Sequence, residues 1–481
     1  MFADITSFIA ELERRKELVR IAEAVSPDLE IAAVIDRASK APNGGPALFF
    51  ERPTGASMPV AANLFGSMSR MCLALGVASL DELARDIEEL STPPQPRGFM
   101  DAVKLMPLVN RLTDLMPKTV KDAPCQEVVK MDGGLDELPI LKTWPEDGGP
   151  FITLPLVITR DPETGMRNIG TYRMQVYDRR TTGMHWQRHK GGAQHHRVAE
   201  RLGQRLDVAV ALGADPVLTY SATAPMPEGL DELMLAGILG KRRVEMVKCR
   251  TVDLEVPANA QIVLEGYVEP GERRREGPFG DHTGLYSLAD DFPVFHLQCI
   301  TMREHPVYVT TVVGVPPMED YYLGKASERI FLPLIRKTLP EIVDMNFPAA
   351  GIFHNLVIVS IDKRYPGHAR KIMSAFWGLG QLMFSKCIVV VDKDVDVHNE
   401  AEVAWIAGTH VDPSRDIEIT KGPVDDLDDA AIFPSYGGKM GIDATRKWPA
   451  EGQTREFPKR LATSESARRR ADEIWKKISD R

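Results

Sequence analysis

Residues 168–192 read NIGTYRMQVYDRRTTGMHWQRHKGG, and this stretch constrains the fold more than any other. From Asn168 to Val176 the apolar residues Ile169, Tyr172, Met174 and Val176 break up polar positions. Rough alternation of this kind, with aromatic and β-branched members, predicts a half-buried strand. Residues 179–183 are polar and turn-like, and residues 184–189 supply a returning strand that ends at Gly191 and Gly192. The expectation is a single hairpin. A hairpin with only a structural duty rarely gathers Asn168, Arg173, His185, Arg188, His189 and Lys190 so closely. Such a group suits an anionic ligand with a metal beside it.

The flanking chain alternates between two kinds of signal. Asp4 is a plausible N-cap for an amphipathic helix carrying Ile5, Phe8, Ile9 and Leu12 at helical spacing. Residues 29–38 and 80–90 predict further helices, residues 47–50 and 59–63 predict strands, and the Pro-rich segment 91–98 is punctuation. From about residue 120 to 320 strand signals dominate, at 151–159, 208–211, 243–249, 261–268 and 307–313. Residues 225–228 read as a turn and 229–239 as a helix. The last third returns to a βαβ-like pattern, with apolar strands at 353–361 and 386–391 around a helix near 367–384. Residues 464–478 form a tail helix in which Ile474, Trp475 and Ile478 need a partner, either another subunit or the tail's own domain.

At 481 residues the chain holds two to four domains. Its net charge of −9 argues against non-specific nucleic-acid binding through overall charge. The cysteines Cys72, Cys125, Cys249, Cys299 and Cys387 are odd in number, widely spaced and without a C-x-x-C, so disulfide scaffolds and cysteine zinc sites are not expected. The N-terminus lacks the basic start and unbroken apolar segment of a signal peptide, and no run approaches the roughly 20 apolar residues of a membrane span. A cytoplasmic location is expected. No G-x-G-x-x-G opens a helix, which removes support for a dinucleotide site.

Residues 168–192, together with ALGADP (211–216), VKCRTVDLEVPANAQIVLEGYVEPGE (247–272), EGPFGDHTG (276–284) and GKMGIDATRKWP (438–449), resemble in order the sequence blocks of the UbiD family of reversible decarboxylases. These enzymes use prenylated flavin mononucleotide (prFMN). The likeness runs from about residue 5 to about 475 and lies nearest to the branch acting on 4-hydroxy-3-polyprenylbenzoate in ubiquinone biosynthesis. It implies a mixed α/β and β fold divided into four parts. These are an N-terminal α/β domain (1–118), a central split β-barrel that binds flavin and metal (119–325), a C-terminal α/β domain (326–455) and a helical tail (456–481).

The resemblance also implies the ligands. Asn168, His189 and Glu232 match the positions that hold a divalent ion, usually Mn²⁺, and hard oxygen donors plus one imidazole suit such an ion. A dication neutralises a phosphate in a buried pocket. Asp231 is the alternative to Glu232, although the family's Glu follows a Leu by two positions, as Glu232 follows Leu230. A potassium ion is implied near the backbone of Ser221, Ala222 and Ala224. The cofactor contacts would be Thr171, Tyr172, Arg173, His185, Trp186, Gln187, Lys190, Gly191 and Lys439, where Arg and Lys suit a phosphate and glycine admits close backbone approach.

Glu276 and Asp281 flank a Pro/Gly-containing turn, and two carboxylates at one cavity can be driven apart, one ionised and one holding a proton. By resemblance Arg173, Glu276 and Asp281 form the acid–base trio, with Asp281 the proton donor to the ring carbon. Loss of CO₂ from an aromatic ring leaves electrons that no ordinary side chain accepts, so a cofactor sink is required. The implied activity is that of a carboxy-lyase on a prenylated 4-hydroxybenzoate. The alternatives are a small hydroxybenzoate or catechol acid as substrate, or an accessory flavin- or metal-binding subunit, against which the intact trio argues. Implied partners are a flavin prenyltransferase that supplies the cofactor and further copies of the chain, as a dimer or hexamer. A lipid-tailed substrate suggests peripheral contact with the inner membrane face, although no basic amphipathic anchor is evident.

Overall fold

A computed structural model describes residues 2–91, 115–226 and 231–479. Most of the breaker segment 91–98 and part of the expected turn and helix start at 225–230 lie outside these residues.

The opening helix forms as its spacing predicts, over Ile5–Arg14, with Ile5, Phe8, Ile9 and Leu12 buried. Asp4 caps it by accepting the Ser7 N–H at 2.8 Å, a contact worth ~1 kcal/mol. The helices Glu30–Ser39 and Leu80–Ser91 follow. The strands Leu18–Val25, Ala47–Pro53 and Val60–Ala62 make a small sheet. Its fourth strand is Tyr308–Val309, which pairs in parallel with Val60–Ala62 and ties the central region to the N-terminal one. A shared core seals that junction: Phe8, Leu12 and Phe65 pack in one cluster with Ala209, Ala211 and Val263.

The central sheet is antiparallel. Its order is Thr181–Gly183, Asp290–Met302, Ile262–Glu276, Leu206–Leu212, Leu156–Arg160 and Arg167–Gly170, with Val128–Lys130 also on Asp290–Met302. No ladder among the described residues joins Thr181–Gly183 to Arg167–Gly170. The sheet is therefore open, and residues 171–180 link its two end strands along the chain.

The single hairpin expected over 168–192 does not form. The first strand stops at Gly170, where the Tyr172 ring fills the space a side chain would need, within 2.5 Å of a Cβ built there. Thr171 N–H then leaves the ladder to reach the Ala222 carbonyl at 3.2 Å. Met174–Gln175 pairs with Phe151–Ile152, Thr181–Gly183 pairs with Asp290–Met302, and Val176 meets Thr182 only across an isolated bridge. Residues 184–190 hold no strand, and Gly191 and Gly192 open the helix Gly191–Leu202 instead of closing a turn. Alternation fixes which face of a strand is buried. It does not name the strand's partner.

The C-terminal sheet runs Ile342–Asn346, Leu356–Ile361, Cys387–Asp392, Tyr436–Asp443 and Ile417–Pro423, with a parallel centre. In LVIVSI, Val357, Val359 and Ile361 face a cluster with Ile372 and Phe376 of the helix His368–Trp377, while Ile358 faces Val403 and Ile406 of Glu400–His410. Covering both faces explains the unbroken apolar run. The 20-residue helix Glu319–Thr338 joins the parts. Its Glu319 accepts the Phe65 N–H at 2.6 Å, and Lys325 and Arg329 bond Asn346 and Asp344 at 2.7 and 2.8 Å. The tail helix Glu465–Ser479 buries none of its residues, so Trp475 and Ile478 find no burying partner among the described residues.

Candidate active site

One cavity of about 1420 Å³ lies between the open end of the central sheet, the helix Glu319–Thr338 and the C-terminal domain. Asn168, Thr171, Tyr172, Arg173, His185, Gln187, His189, Lys190, Gly191, Glu232 and Asp281 all line it. These residues come from separate segments that the fold brings to one surface. Glu276 stands just behind that wall, and its side chain is fully buried.

At one end Arg173 organises the carboxylates. Its Nε donates to Glu276 Oε1 at 3.0 Å, one Nη donates to Asp281 Oδ2, and the other donates to Ser287 Oγ at 3.1 Å. The guanidinium lies 4.5 Å over the Phe279 ring, which holds its plane. His185 Nδ1 sits 3.0 Å from Glu276 Oε2. The loop carrying both acids is clamped by Asp147. Its Oδ1 accepts the Gly280 N–H at 2.8 Å, while its Oδ2 accepts the Thr143 hydroxyl at 2.6 Å and the Trp144 N–H at 2.8 Å. Gln175, from the strand Met174–Gln175, accepts the Gly277 N–H at 2.7 Å.

This arrangement corrects the expected division of protons. Burial raises Glu276, but His185 and Arg173 outweigh it and hold the group below its ordinary range. Burial likewise opposes ionisation of Asp281, and His282 and Arg173 again win. Both carboxylates therefore rest ionised in the ligand-free site, because one guanidinium serves both and each has its own imidazole. The acid that burial pushes up, to about 7, is Asp320 in the first turn of Glu319–Thr338. Asp320, His282 and His354 all line the cavity and were missed as site residues. For His282 the adjacency to Asp281 was a usable signal. Asp320 read only as an acidic helix start, and His354 carried no signal at all.

The other end is differently partnered. Asp231 caps the helix Glu232–Gly240 by accepting the Leu233 N–H at 2.8 Å, and it also receives Arg167 at 3.1 Å. Glu232 accepts the Ile169 N–H at 3.0 Å, and burial raises it to about 7. Asp231 is thus already engaged, whereas Glu232 is a buried carboxylate without a cation of its own. Asn168 donates to the Tyr172 hydroxyl at 3.2 Å, and its Oδ1 packs so close to Gly191 that a Cβ there would lie 2.0 Å away. Among the described residues no three His, Cys, Asp or Glu side chains form a metal cluster. The expected set needs the Asn168 amide to complete it.

The cradle fits a phosphate-bearing group. Thr171 Oγ1 is buried with no hydrogen-bond partner. Lys190, at the N-cap of Gly191–Leu202, has its ammonium disfavoured by burial. An anion there would gain the helix N–H groups and favour the lysine's ammonium form. Two expected contacts do not reach the cavity. The Trp186 ring turns into the core, 5.3 Å from His196. Lys439 is buried behind the cavity wall, donating to the carbonyls of Met383 and Ser385, the latter at 3.0 Å. Ala222 and Ala224 line the cavity, whereas Ser221 is fully buried and does not.

Comparison with known proteins identifies the family. Family models described as the N-terminal, Rift-related and C-terminal domains of 3-octaprenyl-4-hydroxybenzoate carboxy-lyase match residues 9–90, 118–316 and 321–444. An uncharacterized protein of Archaeoglobus fulgidus is 52% identical over 479 residues, covering 99% of this chain and 98% of that one. The closed form of Sedimentibacter hydroxybenzoicus vanillic acid decarboxylase superposes with a TM-score of 0.86 at 29% identity, covering 100% of both chains. The UbiD-class enzyme HmfF of Pelotomaculum thermopropionicum, solved with FMN, superposes with a TM-score of 0.80 at 30% identity, covering 96% of this chain and 97% of that one. With its three matched domains and its chain-long likeness to these enzymes, this chain belongs to the UbiD family of carboxy-lyases.

Proposed function

We propose that this protein removes CO₂ from an aromatic acid with the help of prFMN, and that its substrate is a 4-hydroxybenzoate bearing a prenyl chain. The observation that carries the reading is the convergence of Arg173, Glu276 and Asp281 at one end of a cavity whose other end is an under-neutralised cradle. Asn168, His189 and Glu232 would hold a divalent ion, Mn²⁺ being the best match to their donors. Lys190, Thr171 and the N–H groups from Gly191 onward would take the phosphate, and the Ala222 and Ala224 backbone would hold K⁺. When bound, prFMN supplies the electron sink that carboxylate loss requires.

The chain's own residues do the rest. Arg173 keeps Glu276 and Asp281 in register and, with Phe279 beneath it, fixes the acid against the ring to be protonated. Asp281 passes a proton to the ring carbon vacated by CO₂. Burial of the trio strengthens each charge at that end of the cavity. Leu323, Phe331, Leu334, Ile335 and Leu382 make a long apolar wall beyond the acid, which favours a substrate with a hydrocarbon tail. A small hydroxybenzoate or catechol acid is the second reading, favoured by the likeness to vanillic acid decarboxylase. A further proposal is that copies of the chain assemble, with the apolar face of the tail helix as one contact. A flavin prenyltransferase would supply the cofactor. No described helix is long and apolar enough to cross a membrane, so a lipid-tailed substrate would be met at the membrane surface.

The deciding experiment is anaerobic co-expression with a flavin prenyltransferase. The flavin released on denaturation is weighed, and CO₂ release is then assayed from prenylated and unprenylated 4-hydroxybenzoates. Prenylated FMN with a preference for the tailed acid is expected. A preference for the short acids would replace the first substrate by the second. Folded, manganese-loaded protein that retains no prenylated flavin would defeat both.

A further inference from the structure

The polar network does not end at Asp281. His282 Nδ1 lies 2.8 Å from Asp281 Oδ1, and the His282 backbone N–H donates to the same oxygen at 2.8 Å. On its far side His282 Nε2 lies 2.9 Å from Nε2 of His354, 72 residues further along the chain. Phe353 closes one flank of the His282 ring at 5.4 Å. The contact between two Nε2 atoms can hold only one proton, and the ionised Asp281 demands a donor at Nδ1. Both conditions are met when His282 gives Nδ1–H to Asp281 and one of the two Nε2 atoms carries the shared proton. The weaker base is His354, which leaves that proton on His282 as an imidazolium.

We propose that His282, oriented by His354, stores the proton that Asp281 delivers to the substrate ring. The inference rests on the decarboxylase reading, in which a carboxylate substrate and one proton become an arene and CO₂. In each turnover the His282 Nδ1–H bond breaks as an Asp281 O–H bond forms, and that bond breaks in turn as the ring C–H bond forms. Asp281 ends ionised and His282 ends neutral, still giving Nε2–H to His354. Water entering after product release restores the proton on Nδ1, so one solvent proton is consumed per cycle. His354 is a positioning residue, because its Nε2 acceptor keeps Nδ1 of its neighbour aimed at the acid.

The electrostatics follow the geometry. Burial lowers His282, but Asp281 outweighs it and the imidazole is raised above its ordinary range. Burial and the His282 charge push His354 down to about 4. Other groups act on the pair as well. Asp320 faces it from the helix Glu319–Thr338, Asp425 acts on both rings, Lys190 acts on His354, and Arg173 holds Asp281. A resting carboxylate at Asp281 is a poor acid by itself, and a charged imidazole in contact with it removes that difficulty.

The test combines two measurements. In the first, ¹⁵N-labelled histidine NMR follows the protein without any substrate. His282 is expected to remain an imidazolium at neutral pH, and Asp281→Asn is expected to lower its titration midpoint by about one unit or more. In the second, the loaded enzyme is assayed. His282→Gln is expected to lower kcat by about 10²-fold with flavin content unchanged, and to slow hydrogen incorporation more than first-turnover CO₂ release. His354→Leu is expected to lower kcat about 10-fold and to move the basic limb of the pH profile to lower pH, whereas His354→Gln, which keeps an acceptor, restores it. A neutral His282 in the NMR titration, or His282→Gln with unaltered kcat and pH profile, overturns the proposal. Absence of turnover on every aromatic acid defeats the decarboxylase reading instead, and the NMR titration then still decides whether the proton is stored.

Discussion

The two ends of the cavity solve the problem of buried charge in opposite ways. At the acid–base end each member of the trio has an internal partner. Arg173 and Glu276 are 9% and 0% exposed, Asp281 is 8% exposed, and the guanidinium and two imidazoles answer the carboxylates. At the cradle end Glu232 is buried without a cation, Thr171 Oγ1 has no partner, and burial disfavours the Lys190 ammonium. The first end is pre-organised and needs nothing to hold its shape. The second is stable only as far as a ligand completes it, because an uncompensated buried charge is costly until a counter-ion arrives.

Substitutions can break or sharpen that contrast. The largest effect is expected from Arg173→Ala, which strands two buried carboxylates. Turnover should vanish, and chemical denaturation should show a loss of about 3–5 kcal/mol. A variant as stable as the parent would mean that water already screens the trio. Asp281→Asn should keep flavin and metal but lower kcat by about 10²–10⁴-fold, and full activity would remove its role as proton donor.

Glu232→Gln should act in the reverse sense. Manganese and flavin retention should fall together, while the ligand-free protein becomes more stable near neutral pH. The sign follows from linkage. Glu232 is raised from 4.5 to about 7 by folding, so between those values the folded state binds more protons than the unfolded one. Stability therefore falls as pH rises through that window, by on the order of 3 kcal/mol in total. The substitution should flatten this slope in thermal melts, and Mn²⁺ added to the parent protein should do the same. Unchanged metal content in the variant would return the ligand role to Asp231. The smallest effect is expected from Gly191→Ala, where a Cβ would meet Asn168 Oδ1. An overpacking cost of ~1–3 kcal/mol should appear as weaker manganese binding in a titration. Unaltered affinity would show that the loop moves freely away from Asn168.

Much of the fold was legible because its signals are local. The helix Ile5–Arg14 declared itself through Asp4 and four apolar residues at helical spacing. The βαβ of the last third showed in runs such as LVIVSI, buried on both faces. The segment 168–192 failed for the complementary reason. Its alternation is real, yet three different partners satisfy it, and one of them, Asp290–Met302, lies more than a hundred positions away. Lys439 and Trp186 failed similarly. A lysine or an indole says nothing about which side of a wall it will face, and here two backbone carbonyls and a core cluster took them.

The sequence by itself determined the family, through long blocks in fixed order, and with it some of the residues that line the cavity, Asn168, Arg173, Glu232 and Asp281 among them. It also determined that Glu276 and Asp281 lie close together, because only a short turn separates them. Tertiary structure alone decided their protonation. Arg173, His185 and His282 reach those carboxylates across sheet and loop, and a pKa depends on distances that the chain order does not contain. The same physics set Glu232 apart from Asp231. Neighbours in sequence, they differ because the fold gives one an arginine and leaves the other waiting for a cation.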